Sequence, residues 1–322
     1  MIMLSVLVTF YNMEDYVDRT MKSIFNQKVN FDYEIVIGED GSSDGTLAKL
    51  RAWQEKYPDV IRIIVQPRED REYLSAERAS GNRLSLLEQV KGKYFIYLDG
   101  DDCYCDEMKF QKQVDILEDP ANADCSCCGH NVSYVHPDGR SEILKSWFEK
   151  SGKVRFSHYW WKGFFHPDSL MFRSENILQD VEYRHPLFFD DNYITYVFGH
   201  LGKMYFLKDV MSCYYVTETG IWHGQSRTIG WLRTVTIYEY LSKIYKRNRL
   251  TGFLRSVPLC YLLLNKSEDL DTETMRPYFE VAEKNGAKRV AKLGHVKGAG
   301  KQMLRIFYML LYAANACLKR VF

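Results

Sequence analysis

The sequence predicts an α/β fold, a parallel sheet with crossover helices followed by a helical C-terminal extension. Three observations carry this. Short apolar runs alternate with helix-like segments from Leu4 to Leu98. The last of those runs, Tyr94-Phe95-Ile96-Tyr97-Leu98, ends on Asp99-Gly100-Asp101-Asp102. Beyond residue 225 the pattern turns to long helical stretches.

Leu4 to Thr9 is a continuous apolar run of the kind buried on both faces of a parallel sheet. Asn12-Met13-Glu14-Asp15 is expected to open a helix to about Gln27, because acidic residues favour a first turn. Tyr33 to Ile37 reads as the second strand. Gly38 to Thr46 then supplies a turn and a Ser/Asp cap for a helix to about Tyr57. Val60 to Val65 is the third strand, and a polar loop from Gln66 to Glu72 leads to a helix from about Leu74 to Val90. Lys93 to Leu98 is the fourth strand. Asp106 to Leu117 then reads as a helix, and Asp124 to Val135 as an extended segment closed by the turn Pro137-Asp138-Gly139. Residues 145–172 are dense in aromatics. Helices are expected around 190–200, over 229–247 and across most of 253–322.

The chain has 322 residues and a net charge of +1, which gives no general attraction to nucleic acid. The balance hides an asymmetry: Glu283 is the last acidic residue, and nine Lys and Arg follow it from Lys284 to Arg320. Leu304 to Leu318 is mostly apolar with basic residues on both sides. That composition suits peripheral contact with an anionic membrane; packing on the protein or in a homodimer interface is the other reading. No run of about 18 apolar residues suggests a spanning helix, and Met1 to Phe10 lacks the basic start of a secretion signal. A cytoplasmic location, at most peripheral to the membrane, is therefore expected. The eight cysteines then read as free thiols. Cys103, Cys105, Cys125, Cys127 and Cys128 cluster, but not as paired C-x-x-C, so buried thiols are expected rather than a zinc site.

Carboxylates crowded at a strand end repel each other unless a cation or donor compensates them. In open α/β sheets, ligands bind outside the carboxyl ends of the strands. Asp99-Gly100-Asp101 is thus a candidate clamp for Mg²⁺ or Mn²⁺ carrying a phosphate-containing ligand, the alternative being a solvated Asp-Gly turn.

The stretches Ser5 to Asn12, Glu34 to Thr46 and Gly92-Lys93-Tyr94 into Leu98-Asp99-Gly100-Asp101-Asp102 together resemble the family 2 glycosyltransferases. Lys109-Phe110-Gln111-Lys112-Gln113 resembles the helix that follows the D-x-D in that family, and Phe188-Phe189-Asp190-Asp191 its acidic motif. The resemblance covers about residues 3 to 225. It implies the GT-A fold, a Rossmann-like nucleotide-diphospho-sugar transferase domain over 1–225, with a nucleotide half (1–102) and an acceptor half (103–225). Residues 226–322 would form the helical C-terminal region. The implied activity is inverting transfer of a sugar from a nucleotide-diphosphate donor, UDP by family habit, to a glycan or lipid-linked glycan in cell-surface polysaccharide synthesis.

The resemblance places Asp101 on the metal and Asp99 near the ribose. Asp102 is either a second ligand or a cap for the next helix. Thr9 and Tyr11 end the first strand, where Tyr11 either stacks on a nucleobase or simply packs. Asp40 is the carboxylate expected at the nucleotide, with Glu39 where the family has a second aspartate. Either Asn82 or Arg83 would face the nucleotide, unless both lie on a solvated helix face. Sugar transfer needs a base to take the proton of the acceptor hydroxyl. By family position that base is Asp191, with Asp190 orienting a neighbour. In Gly220-Ile221-Trp222-His223-Gly224, His223 is a candidate metal or diphosphate ligand, and Trp222 a wall of the sugar or acceptor pocket. Two other functions stay open: a sugar-nucleotide pyrophosphorylase, although Thr9-Phe10-Tyr11-Asn12 replaces the glycine-rich loop expected there, and a non-catalytic glycan-binding protein on the same fold.

Overall fold

The computed structural model describes residues 1–74, 76–143, 150–155, 165–176, 193–194, 197, 201–217, 227–244, 249–266, 273–284, 287–295 and 298–321. The chain divides into two compact units, Met1–Thr217 and Glu218–Phe322.

The first unit is built on one mixed sheet. Strands β1 (Leu4–Phe10), β2 (Tyr33–Glu39), β3 (Ile61–Val65) and β4 (Tyr94–Asp99) are parallel in the order β3-β2-β1-β4. Helices α1 (Val17–Phe25), α2 (Thr46–Lys56) and α3 (Glu77–Leu87) make the crossovers. The near-continuous apolar runs are explained by burial on both faces: Leu4, Val6, Leu7 and Val8 of β1 are all fully buried. The register sets Thr9 beside both Gly38 and Asp99, so the three strands end level with one another. At the other end, the buried Glu34 carboxylate is held by Ser5 Oγ (2.7 Å), the Lys91 N–H (3.0 Å) and Arg62 (3.0 Å).

After β4 the sheet changes character. Short β5 (Cys103–Tyr104), helix α4 (Lys109–Glu118), long β6 (Cys125–Val135), β7 (Ser141–Ile143), β8 (Gly152–Val154), β9 (Met171–Arg173) and β10 (Lys203–Tyr215) follow. β9 is antiparallel to both β4 and β6, and so joins the parallel half to the rest; β10 pairs parallel with β6 and antiparallel with β5. The all-parallel expectation thus holds for the nucleotide half alone. A three-residue strand such as β9 is too short to show a period in sequence, although it occupies the centre of the sheet.

The first helix begins at Val17, not at Asn12. Asn12 and Glu14 instead tie the end of β1 to the loop after β2. Asn12 Oδ1 accepts from the Ser43 N–H (2.8 Å), and Glu14 Oε2 from the Gly45 N–H (2.9 Å). In return Ser42, Asp44 and Thr46 side chains accept from the N–H groups of Asn12, Glu14 and Met13. These residues could cap a helix locally; here the same chemistry fastens two loops. Of the five clustered cysteines, Cys103, Cys125, Cys127 and Cys128 are buried free thiols, as expected, whereas Cys105 is exposed.

The second unit is helical as far as it is described: α5 (Arg227–Ile244), α6 (Arg249–Lys266), α7 (Arg276–Lys284), α8 (Lys288–His295) and α9 (Gly298–Val321). α9 packs on α6 through buried Tyr308, Tyr312 stacked on Tyr261 (4.6 Å) and Arg305 Nε donating to the Leu264 carbonyl (2.7 Å). Its opposite side carries Met303, Ile306, Phe307 and Leu310, exposed by 73, 46, 51 and 63%. Among the described residues, no helix is long and apolar enough to cross a membrane.

Candidate active site

The ends of β1, β2 and β4 bring together the residues picked out along the first hundred positions. Thr9 Oγ1 donates to Asp99 Oδ1 (3.0 Å). Asp40, just past β2, is buried and forms an ion pair with Arg78 of α3. Burial pushes its carboxyl above the ordinary range, with Arg78 pulling the other way. Arg78 also donates to the Pro67 carbonyl (2.8 Å), so the carboxylate is held from one side. Tyr11 is exposed, with the Arg68 guanidinium 4.9 Å from its ring centroid. It is therefore not core packing, and an exposed aromatic backed by a cation is a surface on which a planar group can stack. Glu39, where the family has another aspartate, turns inward: its carboxylate accepts from the N–H groups of Ser42 (2.6 Å) and Gly41 (3.2 Å) and fixes the loop.

Asn82 and Arg83 separate cleanly. Asn82 is buried and donates to the Gly38 carbonyl (3.0 Å). A Cβ on Gly38 would lie 2.0 Å from Asn82 Oδ1, so the glycine makes this approach of α3 to β2 feasible. Asn82 thus supports the strand end through its amide N–H, while its Oδ1 is buried without a hydrogen-bond partner. Arg83 is the residue that reaches the acidic run, holding Asp99 through Nη2 at 2.7 and 2.8 Å from its two carboxylate oxygens.

The acidic run is fastened through its backbone. Thr20 Oγ1 donates to the carbonyls of Gly100 (2.7 Å) and Asp102 (2.8 Å), and Arg19 to that of Asp101. The Arg19 guanidinium stacks on the Tyr215 ring at 3.6 Å. Gly100 is enforced, since a Cβ there would fall 2.4 Å from the Phe10 ring. Asp102 is fully buried and its Oδ1 accepts from the Tyr215 N–H (2.8 Å). It does not cap α4, which removes that alternative for its role. Burial, then the neighbouring Asp168 and Asp101, push its carboxyl well above the ordinary value. The Asp101 carboxyl is pushed up to about 6, by burial first and by Asp99 next.

Asp168 is a member of the site that the sequence did not single out. It sits in the short turn Pro167–Ser169 ahead of β9, 1% exposed, with His166 Nδ1 at 3.1 Å from its Oδ2. Burial alone would raise it, but His166 holds it below the ordinary value. Asp99, Asp102 and Asp168 each offer a carboxylate oxygen, all within 4.8 Å of one another. Oδ2 of Asp168 faces the His166 ring, and the Asp102 and Asp168 carboxyls lie against each other. Oxygen ligands at this spacing suit a hard divalent cation such as Mg²⁺ or Mn²⁺. Asp101 lies outside this trio yet is contiguous with it. Behind it, fully buried Lys109 donates to Gln113 Oε1 (2.8 Å), and Gln113 Nε2 donates to the Ser169 carbonyl (2.8 Å) of the Asp168 turn. Burial pushes the Lys109 ammonium down to about 7. The available signal for Asp168 was a lone carboxylate beside proline in an aromatic stretch, a weak cue without the fold.

Asp190, Asp191, Trp222 and His223 lie outside the described residues, as does most of the 156–165 aromatic segment. Phe165 is described, and it is core, buried and stacked 5.7 Å from Phe206.

The family described as "Glycosyl transferase family 2" matches residues 5–181, more than half of the chain. The chain belongs to glycosyl transferase family 2. An uncharacterised protein of Mycobacterium tuberculosis is 23% identical over 232 residues, 69% of this chain and 61% of the relative. The chain thus spans about three fifths of the length of that relative. The cholesterol galactosyltransferase of Borreliella burgdorferi is 34% identical over 132 residues, 41% of this chain and 33% of that one. Among solved structures, Staphylococcus aureus TarS 1–349 in complex with UDP-GlcNAc superposes with a TM-score of 0.61 at 16% identity, covering 98% of this chain and 89% of that one. At that identity the likeness carries the fold, which is GT-A, as the order of motifs implied.

Proposed function

We propose that this family member transfers a sugar, with inversion, from a nucleoside-diphosphate donor to a glycan or lipid-linked glycan of the cell surface. The observation that supports it most is the convergence of Asp40, Tyr11, Arg83–Asp99 and the Asp101-Asp102-Asp168 carboxylates at one edge of the sheet. Tyr11 and Asp40 suit the base of the donor: a face to stack on and a carboxylate to accept an N–H. UDP fits such an acceptor, and relatives named for poly(ribitol-phosphate) glucosylation and for teichuronic acid biosynthesis favour a cell-wall polymer as the sugar acceptor. Asp99, oriented by Arg83 and Thr9, suits a ribose hydroxyl.

Asp99, Asp102 and Asp168, with the contiguous Asp101, would hold Mg²⁺ or Mn²⁺, with His223 as a further candidate ligand. The cation would supply charge stabilisation for the leaving diphosphate. In the reaction, the acceptor oxygen attacks the anomeric carbon as the bond from that carbon to the diphosphate oxygen breaks. Asp191 takes the acceptor proton, Asp190 orients it, and Trp222 lines the sugar or acceptor pocket. Residues 1–225 are proposed as the catalytic part, and the outer face of α9 with its basic flanks as a contact for an anionic membrane surface.

Thermal denaturation with UDP-sugars, with and without Mn²⁺, tests the donor assignment. Ligand that binds only the folded chain raises its stability by mass action, about 2.7 kcal/mol at a hundredfold excess over Kd. A metal-dependent rise is expected, and no shift with any nucleotide sugar would reject the assignment.

A further inference from the structure

Three thiols lie together where β5 meets β10, and the proposed reaction uses none of them. Cys103 stands opposite Cys213 in the antiparallel register of these strands. Opposed residues of such a ladder are about 4.5–5.5 Å apart at Cα, inside the roughly 4.4–6.8 Å that a disulfide spans. Cys213 hydrogen bonds with both Cys103 and Cys105 through its sulfur. Cys105 is exposed, Cys213 half-buried and Cys103 buried, and all three are free. The contacts therefore form a path from solvent to interior. The hydrogen bond from Cys213 also draws the Cys105 thiol below its ordinary value, toward the thiolate that reacts with oxidants, whereas Cys103 and Cys213 are raised and stay protonated thiols. Cys125, Cys127 and Cys128 are buried and have no exposed member to lead to them.

We propose that Cys105, Cys213 and Cys103 form a hydroperoxide-sensitive thiol relay whose end product is a Cys103–Cys213 disulfide. In the first step the Cys105 thiolate attacks a peroxide oxygen and the O–O bond breaks. The sulfur is oxidised to a sulfenic acid, and the peroxide is reduced to an alcohol or water. The Cys213 sulfur then attacks Cys105, the S–O bond breaks and water leaves. Finally the Cys103 sulfur attacks Cys213, the Cys105–Cys213 bond breaks, and the Cys103 thiol proton passes to the departing Cys105 sulfur, an exchange with no net oxidation. The directly opposed pair is the relaxed end point. Cys103 follows Asp102 in sequence, and the Tyr215 N–H that holds Asp102 lies two residues beyond Cys213. The disulfide would thus pin the strand pair that carries the acidic run.

The test is native treatment of the full chain with hydrogen peroxide, followed by alkylation, proteolysis and fragment sequencing of bridged peptides. A thiol-reversible Cys103–Cys213 bridge is expected. Cys213→Ser should abolish it. Cys105→Ser, an exposed replacement that should fold, should slow its formation about tenfold or more, because only buried or half-buried thiols remain to meet the oxidant. Absence of any bridge to Cys213 would overturn the proposal, as would an unchanged rate in Cys105→Ser. Direct conversion of Cys105 to sulfinic acid would overturn it too.

Discussion

Replacing Asp101 by Asn should make the metal-free protein more stable while disabling it. The carboxyl is pushed from 3.8 up to about 6. At about 1.36 kcal/mol per unit, that difference corresponds to at most about 3 kcal/mol, and partial contact with water reduces it to about 1–2 kcal/mol. The sign follows from which state releases its proton first. The unfolded chain deprotonates near pH 4, the folded chain only near pH 6. Stability is therefore lost as pH rises through that window, and the whole deficit is present at about pH 7. Asn keeps the shape and carries no charge to repel Asp99. Urea denaturation in a chelator, near pH 7 and again near pH 4, reads the difference as a shift in midpoint at constant slope. The variant should gain near pH 7 and gain almost nothing near pH 4. Turnover should meanwhile fall by roughly a thousandfold, the scale of losing comparable electrostatic stabilisation. A variant less stable than the parent near pH 7, or a gain independent of pH, would show that charge crowding at Asp101 is not what limits stability there.

Gly38→Ala should cost about 1–3 kcal/mol, since the new methyl meets Asn82 Oδ1 and the neighbour must shift; the double variant with Asn82→Ala should recover part of that loss by the same denaturation assay. Asp191→Asn should lower turnover by about a hundredfold to ten-thousandfold and leave donor affinity, read by calorimetry, nearly unchanged; collapse of donor affinity with surviving turnover would make Asp191 a binding residue. Phe307→Ser with Leu310→Ser should weaken sedimentation with anionic vesicles, and binding of the parent should fall as salt rises, because each basic residue near the surface contributes about 1 kcal/mol that salt screens. If the parent ignores vesicles and the substitutions change its oligomeric state, α9 is an interface between copies.

The nucleotide half was legible because both its signals are local. Buried parallel strands leave unbroken apolar runs, and Asp99-Gly100-Asp101 marks where β4 ends. What stayed hidden depends on distant partners. Asn12 and Glu14 look like the start of a helix until the loop at Ser42–Thr46 is brought beside them. Asn82 and Arg83 are adjacent in sequence, and only the packing of α3 sends one to Gly38 and the other to Asp99. Asp168 joins the carboxylates because β9 runs antiparallel beside β4, a pairing that three residues cannot announce. Asp101 stands out in the sequence because carboxylates crowd at a strand end. The elevation of its carboxyl by burial and by Asp99 is the same crowding read in three dimensions.

Whether the chain is a sugar transferase is decided by incubating the purified protein with UDP-sugars and Mn²⁺, with and without a polyol-phosphate or lipid-linked acceptor, and resolving every product by chromatography. Nucleoside diphosphate should be the released nucleotide, rising with acceptor and absent in chelator. Release of nucleoside monophosphate with sugar phosphate would instead mark a pyrophosphorylase, and no turnover of any nucleotide sugar would leave a glycan-binding protein on a transferase fold.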